Sequence, residues 1–192
     1  GGDVDVPQVD VGGQGGRGPG GAGLVAAIEA ARGITQAVAI AHASPRLVGI
    51  ALGAEDYVRD LRTGRSPEGG ELLFARCSIL QAARSAGIQA FDTVYSDANN
   101  DAGFLHEAAH IHQLGFDGKS LINPRQIDLL HNLYAPTRKA FNQAQQIVEA
   151  AETAALEGRG VVSLNGKMVD SPVIERARLV LSRAALSGIR DE

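Results

Sequence analysis

From Leu24 onward, short apolar runs alternate with longer stretches whose apolar residues recur at helical spacing. The runs predict strands at 24–28, 47–52, 88–94 and 117–122. The amphipathic stretches predict helices over about 34–43, 69–86 and 102–114, and another from near Pro124. Strand-helix alternation implies a parallel sheet with helical crossovers, so the fold class is α/β. Beyond residue 136 the alternation stops. Thr137, after Pro136, opens a long helix rich in Ala and Gln that runs to about 157. Residues 161–169 pattern as a hairpin around Asn165-Gly166, and Ser171-Pro172 starts a last helix to about Ser187. Residues 1–23 are dominated by Gly and carry no period long enough to place an element, which predicts an irregular, flexible segment. Three segments follow: 1–23 irregular, 24–136 α/β, and 137–192 a helical and hairpin appendage.

Two of the apolar runs end in an acid. The first leads from Leu24 into Glu29, and the second from Leu47 through Gly53 to Glu55 and Asp56. If the runs are neighbouring parallel strands, about 4.8 Å apart, both acids emerge at the C-terminal edge of the sheet. Glu29 and Asp56 could then share one hard cation. Mg²⁺ is the natural candidate, because it takes oxygen ligands and usually needs only one or two carboxylates. The alternative is that each acid starts or caps a surface helix.

Composition narrows the function classes. A formal net charge of −4 leaves no basic footprint for nucleic acid. No apolar stretch approaches the roughly 20 residues that cross a membrane, and no charged-then-apolar leader stands at the start. Cys77 is the sole cysteine, which excludes an intrachain disulfide, fits a reducing cytoplasm, and reads as a buried, inert thiol. The chain opens on Gly rather than Met, as a fragment or processed product would.

Two motifs are decoys. Residues 13–18 match GxGxxG, but Pro19 and further glycines follow where a dinucleotide fingerprint opens a helix, so a phosphate would lack its helix N-terminus. His106-Glu107-Ala108-Ala109-His110 matches HExxH, the zinc-peptidase pattern. On a helical wheel Phe104, Ala108 and Ile111 form one stripe, whereas His106, His110 and Gln113 form another, which should face solvent. A catalytic zinc is not expected there.

Four stretches carry a family resemblance: GIALGAEDY at 49–57, FDTVYSD at 91–97, GFDGKSLINPRQI at 115–127 and NGKMVD at 165–170. From about Leu24 to the end, the chain resembles the citrate lyase beta-subunit family, within the HpcH/HpaI aldolase/citrate lyase group. The resemblance implies a (β/α)8 barrel with its active site at the C-terminal strand ends. It also implies a Mg²⁺-dependent carbon–carbon lyase that splits a citryl thioester, carried on acyl carrier protein or coenzyme A, into oxaloacetate and an acetyl thioester. Implied partners are the alpha and acyl carrier subunits of citrate lyase and further copies of the chain, in the cytoplasm. Malyl- or citramalyl-CoA lyase chemistry is the neighbouring alternative, and the stretch from 70 to 127 favours the citryl reaction.

By the same resemblance, Glu29 and Asp56 are the metal ligands. The Gly53-Ala54-Glu55 turn brings backbone N–H groups to a substrate carboxylate. Lys119 and Asn123 lie near the thioester's arm, although a solvated surface lysine is the alternative for Lys119. Asp170 is a catalytic acid delivered to a neighbouring subunit, or else an N-cap beside Ser171. A complete barrel needs eight strands and typically ~250 residues. Four strands are found, resembling the last four of the family, with no counterpart of its early-strand substrate arginines. The expectation is therefore a C-terminal half-barrel plus a hairpin-helix appendage, N-terminally truncated, prone to associate, and with little or no lyase activity alone. It could equally be an inactive fragment kept for binding or assembly.

Overall fold

The computed structural model describes residues 22–156, 162–164 and 166–188. The GxGxxG stretch, nearly all of the Gly-rich segment expected to be flexible, and Asn165 of the expected turn lie outside the described residues. Two compact units divide the chain, one up to Ile127 and one from Asp128.

The first unit runs β1 (Leu24–Ile28), α1 (Ala31–Thr35), α2 (Ala37–Ala41), β2 (Leu47–Leu52), α3 (Ala54–Asp60), α4 (Leu73–Ala86), β3 (Gln89–Asp92), α5 (Asp101–Leu114) and β4 (Gly118–Lys119). A 3₁₀ turn at Gly70–Leu72 leads into α4. The four strands form one parallel sheet in the order β1-β2-β3-β4. The order advances one strand at a time in a single direction, as in a βα-barrel wall, and does not reverse as it does in a doubly wound sheet. Register pairs Ile28 with Leu52, Ala51 with Phe91, and Asp92 with Lys119, so the C-terminal ends of all four strands lie along one edge.

The crossover helices form because their apolar residues recur every three or four positions. α4 buries Ala75, Ile79, Ala82 and Ala83, while α5 buries Phe104, Ala108 and Ile111, the stripe expected from the wheel. Burying a side chain the size of Ile79 or Phe104 contributes about 1.5–3 kcal/mol. Asn100 starts α5 by accepting the Gly103 N–H at 2.9 Å, a cap typically worth about 1 kcal/mol.

Three details differ from the sequence expectation. The helix expected over 34–43 is two short helices, 31–35 and 37–41, broken at Gln36, whose φ of −110° and ψ of 11° leave the helical region. Only two residues of 117–122 form β4, because the chain bends away after Ser120 N–H bonds the Asp92 carbonyl. α3 has no counterpart in the predicted elements. Its seven residues bury only Ala54, Tyr57 and Val58, too few to show a helical period.

In the second unit, α7 (Arg138–Leu156) is opened by Thr137, whose hydroxyl accepts the Ala140 N–H at 3.2 Å. β5 (Val162–Leu164) and β6 (Lys167–Val169) pair antiparallel, and α8 (Ser171–Leu186) packs along α7. Gly166 sits in the hairpin turn at φ 76°, the left-handed region that an L side chain rarely adopts. α6 (Arg125–Tyr134) runs across the division between the units. Among the described residues, no helix is long and apolar enough to cross a membrane.

Candidate functional site

The four strand ends of the first unit surround a cavity of about 260 Å³. Ala27, Ala51 and Leu52 supply its apolar wall. Glu29 follows β1, Gly53 to Asp56 follow β2, Thr93 and Val94 follow β3, and Ser120 follows β4. A parallel sheet of this winding presents its ligand groups at this edge.

The turn after β2 is held from both neighbouring strands. Gly53 N–H donates to the Ile28 carbonyl at 3.0 Å, and Ala54 N–H donates to Thr93 Oγ1 at 3.1 Å. The first helical bond of α3 is Tyr57 N–H to Gly53 O at 3.2 Å, so the Glu55 and Asp56 N–H groups stand ahead of it among the donors that a helix start leaves over. Gly53 also lets Glu29 cross the turn. A Cβ at residue 53 would lie 2.4 Å from Glu29 Cγ and 2.6 Å from its Oε1. Asp56 meets Arg59 at 2.9 Å in an ion pair open to solvent, an arrangement that holds a carboxylate only weakly.

Behind this edge lies a buried ion network. Arg76 Nε and Nη2 grip the two Asp92 oxygens at 2.8 and 3.0 Å, and neither side chain sees solvent. Lys119 Nζ reaches Asp92 at 3.0 Å and Glu107 at 2.6 Å, and donates as well to the Thr93 carbonyl. Glu107 is bonded in turn by Arg76 at 3.0 Å and Arg65 at 2.7 Å. Burial pushes the Asp92 carboxyl up, but the Lys119 charge and the Arg76 hydrogen bonds win and hold it below the ordinary carboxylate value. Burial likewise opposes the Arg76 charge, and Asp92 and Glu107 overcome it, raising the guanidinium's pKa.

Glu29, Gly53, Ala54, Glu55 and Asp56 thus line one cavity. Of the three backbone donors expected at the substrate, those of Gly53 and Ala54 are already used inside the protein, which leaves the Glu55 N–H. The solvated alternative for Lys119 does not hold, because its side chain is fully buried with all three ammonium donors used. Asn123 does not line the cavity. Its Oδ1 accepts the Arg125 N–H at 2.9 Å, which makes it the turn residue leading into α6. Asp170, in the second unit, is exposed and caps α8 by accepting the Val173 N–H at 3.3 Å.

His106, His110 and Gln113 are exposed, as the wheel predicts, but Glu107 turns inward to the ion network. Cys77 is exposed rather than buried, because it lies on the outer face of α4, one position past Arg76. Thr93, Ser120 and Arg65 escaped the sequence reading. A period-2 argument finds the first two, since Asp92 and Lys119 are register partners at the last position of their strands and the residue that follows each, if the pleat continues, points to the opposite face.

Such a cavity fits a small divalent cation by its donor set. It offers two carboxylates from adjacent strand ends and a glycine cradle that admits one of them. Among the described residues, no group of three or more His, Cys, Asp or Glu gathers as a metal site, in this cavity or outside it. Mg²⁺ needs no more than one or two protein carboxylates.

Comparison with known proteins gives two matching families: HpcH/HpaI aldolase/citrate lyase over residues 8–124, and the C–C bond lyases of the TIM-barrel fold over residues 73–189. The first match opens upstream of Leu24, where the resemblance begins in the sequence reading. The chain is similar to the citrate lyase subunit beta of Escherichia coli, 82% identical over 177 residues, covering 92% of this chain and 59% of that protein. It is similar to the Haemophilus influenzae subunit at 72% identity, with 92% and 60% covered. It also resembles the CitE protein of Mycobacterium tuberculosis solved with magnesium, acetoacetate and coenzyme A, at 33% identity and a TM-score of 0.73, covering 85% of this chain and 61% of that one. The chain therefore spans about three-fifths of the length of these relatives.

Proposed function

Since the chain belongs to the HpcH/HpaI aldolase/citrate lyase family, we propose that it carries the metal-binding half of a citryl-thioester lyase, in which Glu29 and Asp56 hold Mg²⁺. The observation that carries this reading is that two acids from adjacent strand ends line one cavity, with Gly53 clearing the path of Glu29. The magnesium and coenzyme A in the related Mycobacterium tuberculosis protein support the cofactor and the thioester.

When bound, the cation supplies Lewis-acid stabilisation to the charge that develops on the citryl hydroxyl oxygen as its proton leaves. Glu29 and Asp56 fix where that charge develops. The Glu55 N–H donates to a substrate carboxylate, and Gly53 and Ala54 hold that donor in place through their own bonds to Ile28 and Thr93. The reaction balances as a retro-Claisen cleavage. The hydroxyl loses its proton, the C–C bond breaks as the ketone of oxaloacetate forms, and the electron pair leaves as a thioester enolate that is then protonated. Asp170, offered by the start of α8 to a neighbouring copy, serves as the acid or base on the thioester side. Asn123, at the start of α6, contacts the thioester's arm through its amide.

The partners in this reading are the alpha and acyl carrier subunits of a cytoplasmic citrate lyase, together with further copies of the chain. The test is to replace the matching stretch of the Escherichia coli subunit with residues 24–192 and assay oxaloacetate release from a citryl thioester. Activity that needs Mg²⁺ and is lost in Glu29→Gln supports the reading. An active Glu29→Gln chimaera would remove its basis.

A further inference from the structure

Arg65 lies in the loop between α3 and α4, outside every motif that points to the site, yet three of its contacts reach the site's frame. Its Nη1 donates to Glu55 Oε1 at 3.1 Å and to the Val94 carbonyl at 3.2 Å, and its Nη2 meets Glu107 Oε2 at 2.7 Å. Glu55 and Val94 both line the cavity, one after β2 and the other after β3. Ser96 Oγ adds a second donor to Glu55 Oε1 at 2.9 Å. One planar guanidinium thus joins two strand ends to α5.

The anchor for this clamp is rigid on both sides. Glu107 is held by Arg76 and Lys119, which are both bonded to buried Asp92. Next to Arg65 in sequence, Ser66 donates its N–H and its hydroxyl to the Glu71 carboxylate at 3.0 and 2.7 Å and accepts the Gly69 N–H at 3.1 Å, which locks the loop. The Arg65 side chain is only 19% exposed, and its Nε is buried without an acceptor. Leaving a buried donor unpaired is unfavourable, so the other contacts must hold the guanidinium in this orientation against that loss. A lysine ammonium, compact and without the planar fork of two separated nitrogens, could not reproduce the spread of these three acceptors.

We propose that Arg65 is a positioning residue that holds the Gly53–Asp56 turn against the end of β3 and so sets where the Asp56 carboxylate and the Glu55 N–H stand. The proposal rests on the metal-site reading only for the ligand, Mg²⁺. The clamp itself is independent of what the cavity binds.

The test uses the full chain as wild type, Arg65→Ala, Arg65→Lys and Glu55→Gln, with Arg84→Ala as a control, since Arg84 pairs with Asp117 on the surface. Hydrogen exchange is followed at the bonded amides of Gly53, Ala54 and Tyr57 and in α4 and α5, with Mn²⁺ affinity measured in parallel. In Arg65→Ala, exchange at the turn should rise by about tenfold, the loss expected for one charge-assisted bond, while α4 and α5 keep their rates. Added methylguanidinium should restore the turn, Arg65→Lys should restore it only in part, and Arg84→Ala should leave it unchanged. Glu55→Gln should reproduce the effect even where Arg65→Ala does not fold. Mn²⁺ binding should weaken in step with the exchange.

Wild-type exchange at the turn in Arg65→Ala or Glu55→Gln overturns the proposal. So does acceleration spread evenly over the unit with no rescue, which marks a merely structural arginine. If the wild type binds no Mn²⁺, the metal-site reading fails while the exchange data still decide the role of Arg65.

Discussion

Glu29 crosses Gly53 so closely that a Cβ at that turn would sit 2.4 Å from its Cγ. This contact is what lets a carboxylate that leaves β1 share a cavity with Asp56, which leaves β2. Gly53 has φ of −97°, which an alanine adopts without strain, and the closest conflicts in Gly53→Ala are with the flexible Glu29 side chain. Thermal stability should therefore change little, and divalent-cation affinity should fall by about tenfold or more, as for other groups that orient a ligand. Calorimetric titration together with a melting curve checks both halves. A variant that melts early and binds normally would show that the contact serves packing alone.

Asp92 contributes to acid stability. Its carboxyl is held below the ordinary value, so the stability it contributes is fully present above its unfolded pKa of about 3.9 and is lost as the pH falls through the lower folded value. Asp92→Asn should flatten that acid limb. It should also destabilise the first unit by about 3–5 kcal/mol at neutral pH, because Arg76 and Lys119 are left as buried charges with one partner fewer. Urea unfolding between pH 3 and 7 measures both effects, and a parallel shift of the two curves would mean that Asp92 does not titrate with folding.

The surface of α4 offers a second check. Cys77 is exposed, so a thiol reagent should modify the native chain at about the rate of an unfolded control, without urea. Protection by a large factor would put the thiol inside.

His106 and His110 stand on the solvent side of α5, and Glu107 between them is engaged by Arg65, Arg76 and Lys119. His110→Ala should leave stability within about 0.5 kcal/mol of wild type, as for other surface substitutions, and Glu107→Gln should not. Stoichiometric zinc that survives dialysis and disappears in His110→Ala would reverse this assignment.

The strand ends were legible because the physical signal there is strong. An apolar run that stops at an acid marks both the strand and the edge it delivers to, and register then brings Glu29 and Asp56 to the same cavity. The ion network was not legible. Nothing local distinguishes Lys119, Glu107 and Arg65 from solvated charges, and only the pairing of Asp92 with Lys119 across β3 and β4 turns them inward. The same applies to Cys77, whose apolar neighbours belong to the opposite face of α4. α3 was hidden by its length, since a seven-residue helix completes too few turns to show a period.

Whether Glu29 and Asp56 act as one divalent-cation site is tested directly by calorimetric titration of Mg²⁺ into the full chain and into Glu29→Gln and Asp56→Asn, with melting curves to show that each variant is folded. One Mg²⁺ per chain, weakened by about tenfold or more in each folded variant, is the predicted result. A wild-type chain that binds no Mg²⁺, or variants that bind it as well as the wild type, would contradict the account.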